Sequence, residues 1–281
     1  MKFAKMHGLG NDYVYVDCFT ERISDPAGLA RLFSDRHKGI GSDGLILIGP
    51  SGKADFRMQI YNADGSVAEM CGNGIRCLGK YVYERGMTDK TELTVETLAG
   101  IRRLRLTVED KTVTEVEADM GIPILKADKI PIVSEHSMVV DEPIVVDGVM
   151  LRMTGVSLGN PHAVIYVQSV RTADIGWLGP RLEHHGRFPR RINVEFTEII
   201  DRHTISVRVW ERGAKETLSC GTGACAAVVA SVLNDLTERR VRVKLTGGDL
   251  TVEWREADNT VYMTGPAAAV FDGVINIPSA G

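Results

Sequence analysis

Apolar and polar residues alternate along much of this chain, the two-residue period of strands with one buried face. The alternation predicts strands over Tyr13–Asp17 and Phe56–Tyr61, then over Glu92–Glu96, Leu104–Glu109 and Val113–Asp119. It returns over Ala163–Val167, Ser206–Trp210, Val241–Thr246, Leu250–Trp254 and Thr260–Thr264. The Gly247-Gly248 pair between two of these reads as a hairpin turn. Two stretches carry a helical pattern instead, Ile75–Arg85 and Ala224–Leu236. The small-residue run ACAAVVASVL in the second suits a helix packed closely on all sides.

The two halves repeat one another. Gly10-Asn11 opens GNDYVYVD, and Gly159-Asn160 opens GNPHAVIYV 149 residues later. Cys71 opens CGNGIRC and Cys220 opens CGTGACA at the same offset, and MQIYN at Met58–Asn62 returns as VRVWE at Val207–Glu211. Three matches at one offset imply two homologous lobes. The expected fold is therefore α+β, with two pseudo-symmetric lobes, each a curled mixed or antiparallel β-sheet around a central α-helix. The N-terminal lobe, with Cys71, is expected over residues 1–120, joined by the C-terminal tail 266–281. The C-terminal lobe, with Cys220, is expected over residues 121–265.

Composition narrows the function classes. The chain has 281 residues, 44% hydrophobic and 25% charged, near the length at which one core gives way to two. A net charge of −4 argues against a dedicated nucleic-acid binder. No apolar run approaches the roughly 18 residues of a membrane span, and the N-terminus lacks the apolar core of a signal peptide. The expectation is a soluble, cytoplasmic protein with neither nucleic acid nor membrane as partner. Five cysteines, Cys18, Cys71, Cys77, Cys220 and Cys225, make an odd count that argues against a disulfide framework. Their spacings do not match C-x2-4-C zinc half-sites, so no metal is expected.

Cys71 and Cys220 each stand just before a Gly-x-Gly that opens a helical pattern. Backbone amides and the helix dipole favour anions there, so the thiol pKa is expected to fall. The glycines admit a ligand close to the backbone. A single copy reads equally well as a tight loop-to-helix turn. Two copies in facing lobes point to opposed thiols across one cleft, the arrangement that inversion at a carbon acid requires. One thiol removes a proton from one face, the other returns a proton to the opposite face, and the helix N-termini stabilise the carbanion charge.

The chain resembles the diaminopimelate epimerase family from KMHGLGNDY at Lys5–Tyr13 to MTGPAAAVFDG at Met263–Gly273. The anchors between are RHKGIGSDG, NADGSVAEMCGNGIRC, GNPHAVIYV, RRINVEF and ERGAKETLSCGTGACA. The resemblance implies a cofactor-independent isomerase that interconverts LL- and meso-2,6-diaminopimelate in lysine and peptidoglycan precursor synthesis, with Cys71 and Cys220 as its two bases. It implies substrate contacts from Asn11, Asn62, Asn160, Asn193, Glu211 and Arg212, with backbone donors at Gly72-Asn73 and Gly221-Thr222. His162 and Glu211 match positions that tune the two thiols.

These residue types suit a substrate with a carboxylate and an ammonium at each end, because amides both donate and accept and arginine grips carboxylates bidentately. Taken singly, Asn11 and Asn62 also read as turn formers, His162 as a loop histidine and Arg212 as a surface charge. The resemblance further implies a homodimer with Phe271 at the contact, where relatives often carry tyrosine. Gly44 stands where certain relatives have a substrate-touching glutamine, so any contact from it must come from backbone or water.

Three rivals compete with this reading. Proline racemases and phenazine-type isomerases are similar in architecture, but Asn160, Asn193 and Arg212 favour a bis-amino acid over proline. A thiol redox or metal-buffering protein predicts a stable dithiol–disulfide couple or retained zinc, and the chain has no C-x-x-C. A nucleotide-binding module would need the P-loop lysine of G-x-x-x-x-G-K-S/T after its glycine loop, and the chain has none.

Overall fold

Eighteen strands and four helices carry residues 1–276, the part of the chain that the computed structural model describes. The first half contains β1 (Lys2–Gly8), β2 (Asn11–Asp17), α1 (Pro26–Ser34), β3 (Gly44–Gly49), β4 (Phe56–Asn62) and β5 (Val67–Ala68). It continues with α2 (Gly72–Glu84), β6 (Glu92–Thr97), β7 (Gly100–Glu109) and β8 (Thr112–Gly121). The second half contains β9 (Glu142–Val146), β10 (Val149–Ser157), β11 (Pro161–Tyr166), α3 (Ile175–Glu183), β12 (Asn193–Asp201), β13 (Thr204–Glu211) and β14 (Lys215–Thr217). Then come α4 (Gly221–Leu233), β15 (Arg240–Leu245), β16 (Gly248–Trp254), β17 (Val261–Gly265) and β18 (Ala268–Val274). Two units result: Met1–Ala118 with the segment from Gly265 onward, and Asp119–Thr264. The last residues of the expected tail, 277–281, lie outside the described residues.

In the first unit the strand order is β18-β1-β2-β3-β4-β6-β7-β8, antiparallel except at β2–β3 and β4–β6. In the second it is β9-β10-β11-β12-β13-β15-β16-β17, antiparallel except at β11–β12 and β13–β15. The repeat extends to register: Tyr13 lies opposite Gly44, and His162, 149 residues on, lies opposite Asn193.

Parallel neighbours need a crossover between them. Helices α1 and α3 provide it between β2 and β3 and between β11 and β12, and neither is apparent from periodicity. Helix α1 is a nine-residue segment whose start rests on Pro26 and on the Asp25 side chain accepting from the Gly28 amide. Helix α3 contains Pro180 and two glycines, a composition with poor helix propensity. Gly179 is required there, because a Cβ would stand 2.4 Å from the Trp210 ring.

Each sheet meets a helix on both faces. Val14, Val16, Leu45 and Leu47 pack with Leu29, Ala30 and Phe33 of α1. The alternate residues face α2: the Tyr15 hydroxyl donates to the Gly74 carbonyl at 3.1 Å, and Ile46 lies against Gly74. Strand β3, GLILIG, is consequently buried along its whole length and shows no alternation. In β12, Val194 and Phe196 join the α3 core while Glu195 reaches Gly223 of α4. Helix α4 starts and stops three residues earlier than its apolar run suggests, because Cys220 caps its start and Asp235 turns left-handed (φ 53°) after its end. Among the described residues no helix is long and apolar enough to cross a membrane.

Candidate active site

Cys71 and Cys220 are the N-caps of α2 and α4, each with extended backbone. Each Sγ accepts a hydrogen bond at 3.3 Å from the amide three residues on, Gly74 or Gly223. Gly72-Asn73 and Gly221-Thr222 follow at the first two helical positions, whose amides have no intrahelical acceptor. Glycine at the third position lets each helix lie on its strand. A Cβ at Gly74 would sit 2.6 Å from Ile46 Cδ1, and one at Gly223 would sit 2.7 Å from Glu195 Oε1.

In the first unit Cys71 is half-buried and donates to Asn11 Oδ1 at 3.4 Å, and Asn73 Nδ2 donates to the same oxygen at 3.4 Å. Asn11 Nδ2 in turn donates to Asp43 at 2.8 Å. Arg36 grips both Asp43 and Asp12, and Lys5 pairs with Asp12, so the RHKGIGSDG motif holds Asn11 through a chain of charges. Burial works against ionisation of Asp12, yet hydrogen bonds from Arg36 and Lys5 hold its carboxyl below the usual carboxylate range. The Tyr13 phenol, in hydrogen-bonding reach of Cys71 and Asn11, has its pKa driven well up by burial and by negative charge at Cys71 and Asp43. It stays protonated and serves as a donor. Arg76, fully buried, bonds the Gly72 carbonyl, Asn73 Oδ1 and the Pro266 carbonyl, bracing the first turn of α2. Asn62 Nδ2 donates to Ser66 Oγ at 3.0 Å within its own turn.

In the second unit Cys220 is buried, with Sγ 3.4 Å from Thr222 Oγ1. Asn160 Nδ2 donates to that hydroxyl at 3.2 Å, and Asn160 Oδ1 lies 3.0 Å from His162 Nε2. His162 Nδ1 lies 2.7 Å from Glu195 Oε1, and neither side chain has any exposed surface. Burial pushes the Cys220 thiol well above its ordinary pKa, and the carboxylates of Glu211 and Glu195 push it further. This reverses the lowering expected from the helix N-terminus: burial and two carboxylates outweigh one helix end. Glu211 accepts from Thr217 at 2.5 Å. Asn193 is buried, donates to the Pro161 carbonyl at 2.8 Å and accepts from the Arg212 amide at 2.9 Å. It fixes the backbone of Arg212, whose exposed guanidinium reaches the Arg190 carbonyl at 3.0 Å.

Other expected features fall elsewhere. Phe271 lies on β18, 48% exposed and edge-on to Phe3 at 5.9 Å between ring centroids. Burial pushes the Cys77 thiol up to about 11 and, with Asp17 and Glu21, raises that of Cys18, so both behave as small apolar side chains. Among the described residues no three His, Cys, Asp or Glu side chains gather as a metal site. Sequence pattern alone does not single out Asp43, Tyr13, Arg76 or Glu195. The only signal for Glu195 is a charge standing between two core residues in NVEF.

The family model described as "Diaminopimelate epimerase" matches residues 3–126 and 154–270. A protein of Acetivibrio thermocellus named diaminopimelate epimerase is 58% identical over 277 residues, covering 99% of each chain. One of the same name from Methanococcus maripaludis strain C6 is 57% identical, covering 99% of this chain and all of that one. The fold is also similar to the crystal structure of a probable proline racemase from Agrobacterium radiobacter K84, with TM-score 0.74 and 16% identity over 99% of this chain and 94% of that one.

Proposed function

The chain belongs to the diaminopimelate epimerase family, and from that premise we propose that it interconverts LL- and meso-2,6-diaminopimelate without a cofactor, using Cys71 and Cys220 as its two bases. The observation that carries this reading is the duplicated cysteine at a helix N-cap, once in each unit with the same bond to the third amide.

One thiolate takes the α-proton. Its S–H bond forms as the C–H bond breaks, and the electron pair left on the carbon spreads into the adjacent carboxylate. The other thiol gives its proton to the opposite face of the same carbon and is left as thiolate. The configuration inverts and the two sulfurs exchange roles. The first-turn amides at Gly72-Asn73 and Gly221-Thr222 stabilise the growing negative charge, and each about 1.36 kcal/mol of such stabilisation yields tenfold in rate. Tyr13 supports Cys71 as a neutral donor, and His162 and Glu211 tune Cys220. Asn11, Asn62, Asn160, Asn193 and Glu211 serve the ammonium groups and the backbone around them. Arg212 takes the distal carboxylate.

The product places the reaction in lysine and peptidoglycan precursor synthesis. Five free cysteines suit a reducing, cytoplasmic setting. We assign a homodimer through β18, whose Phe271 and Val270 are exposed apolar residues.

The test is incubation with LL-diaminopimelate in deuterated water with no added cofactor. The expected result is deuterium at the α-carbon of the meso product, lost in both Cys71→Ala and Cys220→Ala while Cys18→Ala stays near normal. Turnover of L-proline instead would move the chain to the fold's other racemases.

A further inference from the structure

The two cysteines sit in equivalent places, but three of the four positions around them differ. At the 149-residue offset, Asn160 corresponds to Asn11, Thr222 to Asn73, His162 to Tyr13 and Glu195 to Ile46. The substitution is spatial as well as sequential: Ile46 Cδ1 presses on the Cβ position of Gly74, and Glu195 Oε1 presses on that of Gly223. These same two positions lie 3.4 Å and 3.3 Å from Cys71 Sγ and Cys220 Sγ. Thus an isoleucine flanks the first thiol where a carboxylate flanks the second.

Glu195 is costly to keep. It has no exposed surface, and its second oxygen, Oε2, has no hydrogen-bond partner among the described residues. A buried carboxylate with an unsatisfied oxygen destabilises the fold, so its presence calls for a functional reason. Among the described residues its side chain pairs with His162, and from there a continuous chain of hydrogen bonds runs through Asn160 and Thr222 to Cys220. Facing Cys220 are Glu195 from β12 and Glu211 at the end of β13, with His162 from β11 behind Asn160.

We propose that Glu195 is a positioning residue for the second thiol: it locks the His162 ring with Nδ1 toward the carboxylate and, with its charge beside Gly223, keeps the proton on Cys220. Two halves of one ancestral design are thereby made chemically unequal. The thiol flanked by Glu195 rests as the acid and accepts a proton more strongly when it acts as base. The inference rests on the two-base reading above, but its readout does not depend on the substrate. Burial and the two carboxylates act on Cys220 in the same direction.

The experiment is peptide-resolved alkylation of the intact protein by iodoacetamide across pH, read by mass spectrometry for Cys71 and Cys220 separately. In Glu195→Gln, which keeps an oxygen for His162 but removes the charge, the Cys220 midpoint should fall by about one pH unit, or about tenfold more thiolate at fixed pH. The Cys71 midpoint should stay put, KM should stay within about twofold, and kcat should fall with its pH profile displaced. The double variant His162→Tyr with Glu195→Ile copies the pair that the first unit already accommodates, and gives a second route if the glutamine variant does not fold. It should shift Cys220 the same way. A folded variant of either kind with an unmoved Cys220 midpoint overturns the proposal, whatever happens to stability. A shifted midpoint without deuterium exchange in the wild type would instead remove the epimerase reading and leave the local electrostatics standing.

Discussion

At the scale of single residues, the balance of burial against local donors decides what each side chain can do. The helix N-terminus favours thiolate, but Cys220 is enclosed and faces two carboxylates, so its proton is held. Motif and spacing bring out Cys71, Cys220 and the asparagines. They are silent on Tyr13 and Glu195, because a donor and a carboxylate become relevant only when strand neighbours place them beside sulfur. Arg212 illustrates a residue whose role the substrate completes: Asn193 holds its backbone and its guanidinium is exposed. A planar fork on a carboxylate is not replaced by an ammonium. Arg212→Lys should therefore raise KM for diaminopimelate at least about tenfold, while Lys215→Arg, at the exposed start of β14, should leave it nearly unchanged. Steady-state kinetics of both variants decide the matter, and equal small effects would return Arg212 to the solvated surface.

At the scale of elements, the ten strands that alternate follow directly from the pattern, while β3 and the crossover helices escape it for physical reasons. Strand β3 is covered by helices on both faces, so its apolar run carries no period, and α1 and α3 are short crossovers demanded by parallel pairing. Gly44 belongs to this level. A Cβ there would stand 2.2 Å from the Tyr61 carbonyl oxygen, so the close approach of β3 and β4 excludes a glutamine at this site. The parallel pairing of β4 with β6 is tied by Asp55, which accepts from the amide and hydroxyl of Thr94 at 2.8 and 2.7 Å and pairs with Lys90. The Lys90 bond, then those from Thr94, lowers its pKa to about 2. A depressed folded-state pKa contributes stability that is fully present above the ordinary carboxylate range and is lost as pH falls toward about 2. Solvent screening at this largely exposed pair limits the contribution to about 1 kcal/mol. Thermal melts of wild type and Asp55→Asn should differ by that amount near neutrality and converge at the acid end. Parallel curves would remove the carboxylate from the acid response.

At the scale of the whole molecule, duplication explains why one chain carries two N-capping cysteines. Helices α1 and α3, α2 and α4, and the strand orders around them correspond along the two halves. Assembly is a separate question, and β18 bears on it. Val270, Phe271 and Val274 are 55%, 48% and 73% exposed along one short strand, a group of apolar side chains that a partner subunit would cover. Phe271→Asp should convert a dimer to a monomer in sedimentation equilibrium, with each unit's fold retained by circular dichroism. A wild-type protein that sediments as a monomer would end the dimer assignment. A tyrosine hydroxyl is not needed for such a contact, since the Phe271 ring already packs on Phe3.

The sequence by itself determined the duplication, the alternating strands, both central helices and the paired cysteines, because these depend on short-range periodicity and on local rules for capping and turns. It also carried the family, through several long motifs distributed over both halves. Tertiary structure alone decided the crossover helices, the double-sided burial of β3 and β12 and the direction in which the Cys220 thiol is shifted. Each of these depends on what lies across the sheet from a residue. Ile46 and Glu195 are single letters in their strands until the fold sets one beside Gly74 and the other beside Gly223. Burial then magnifies the difference between a methyl group and a charge.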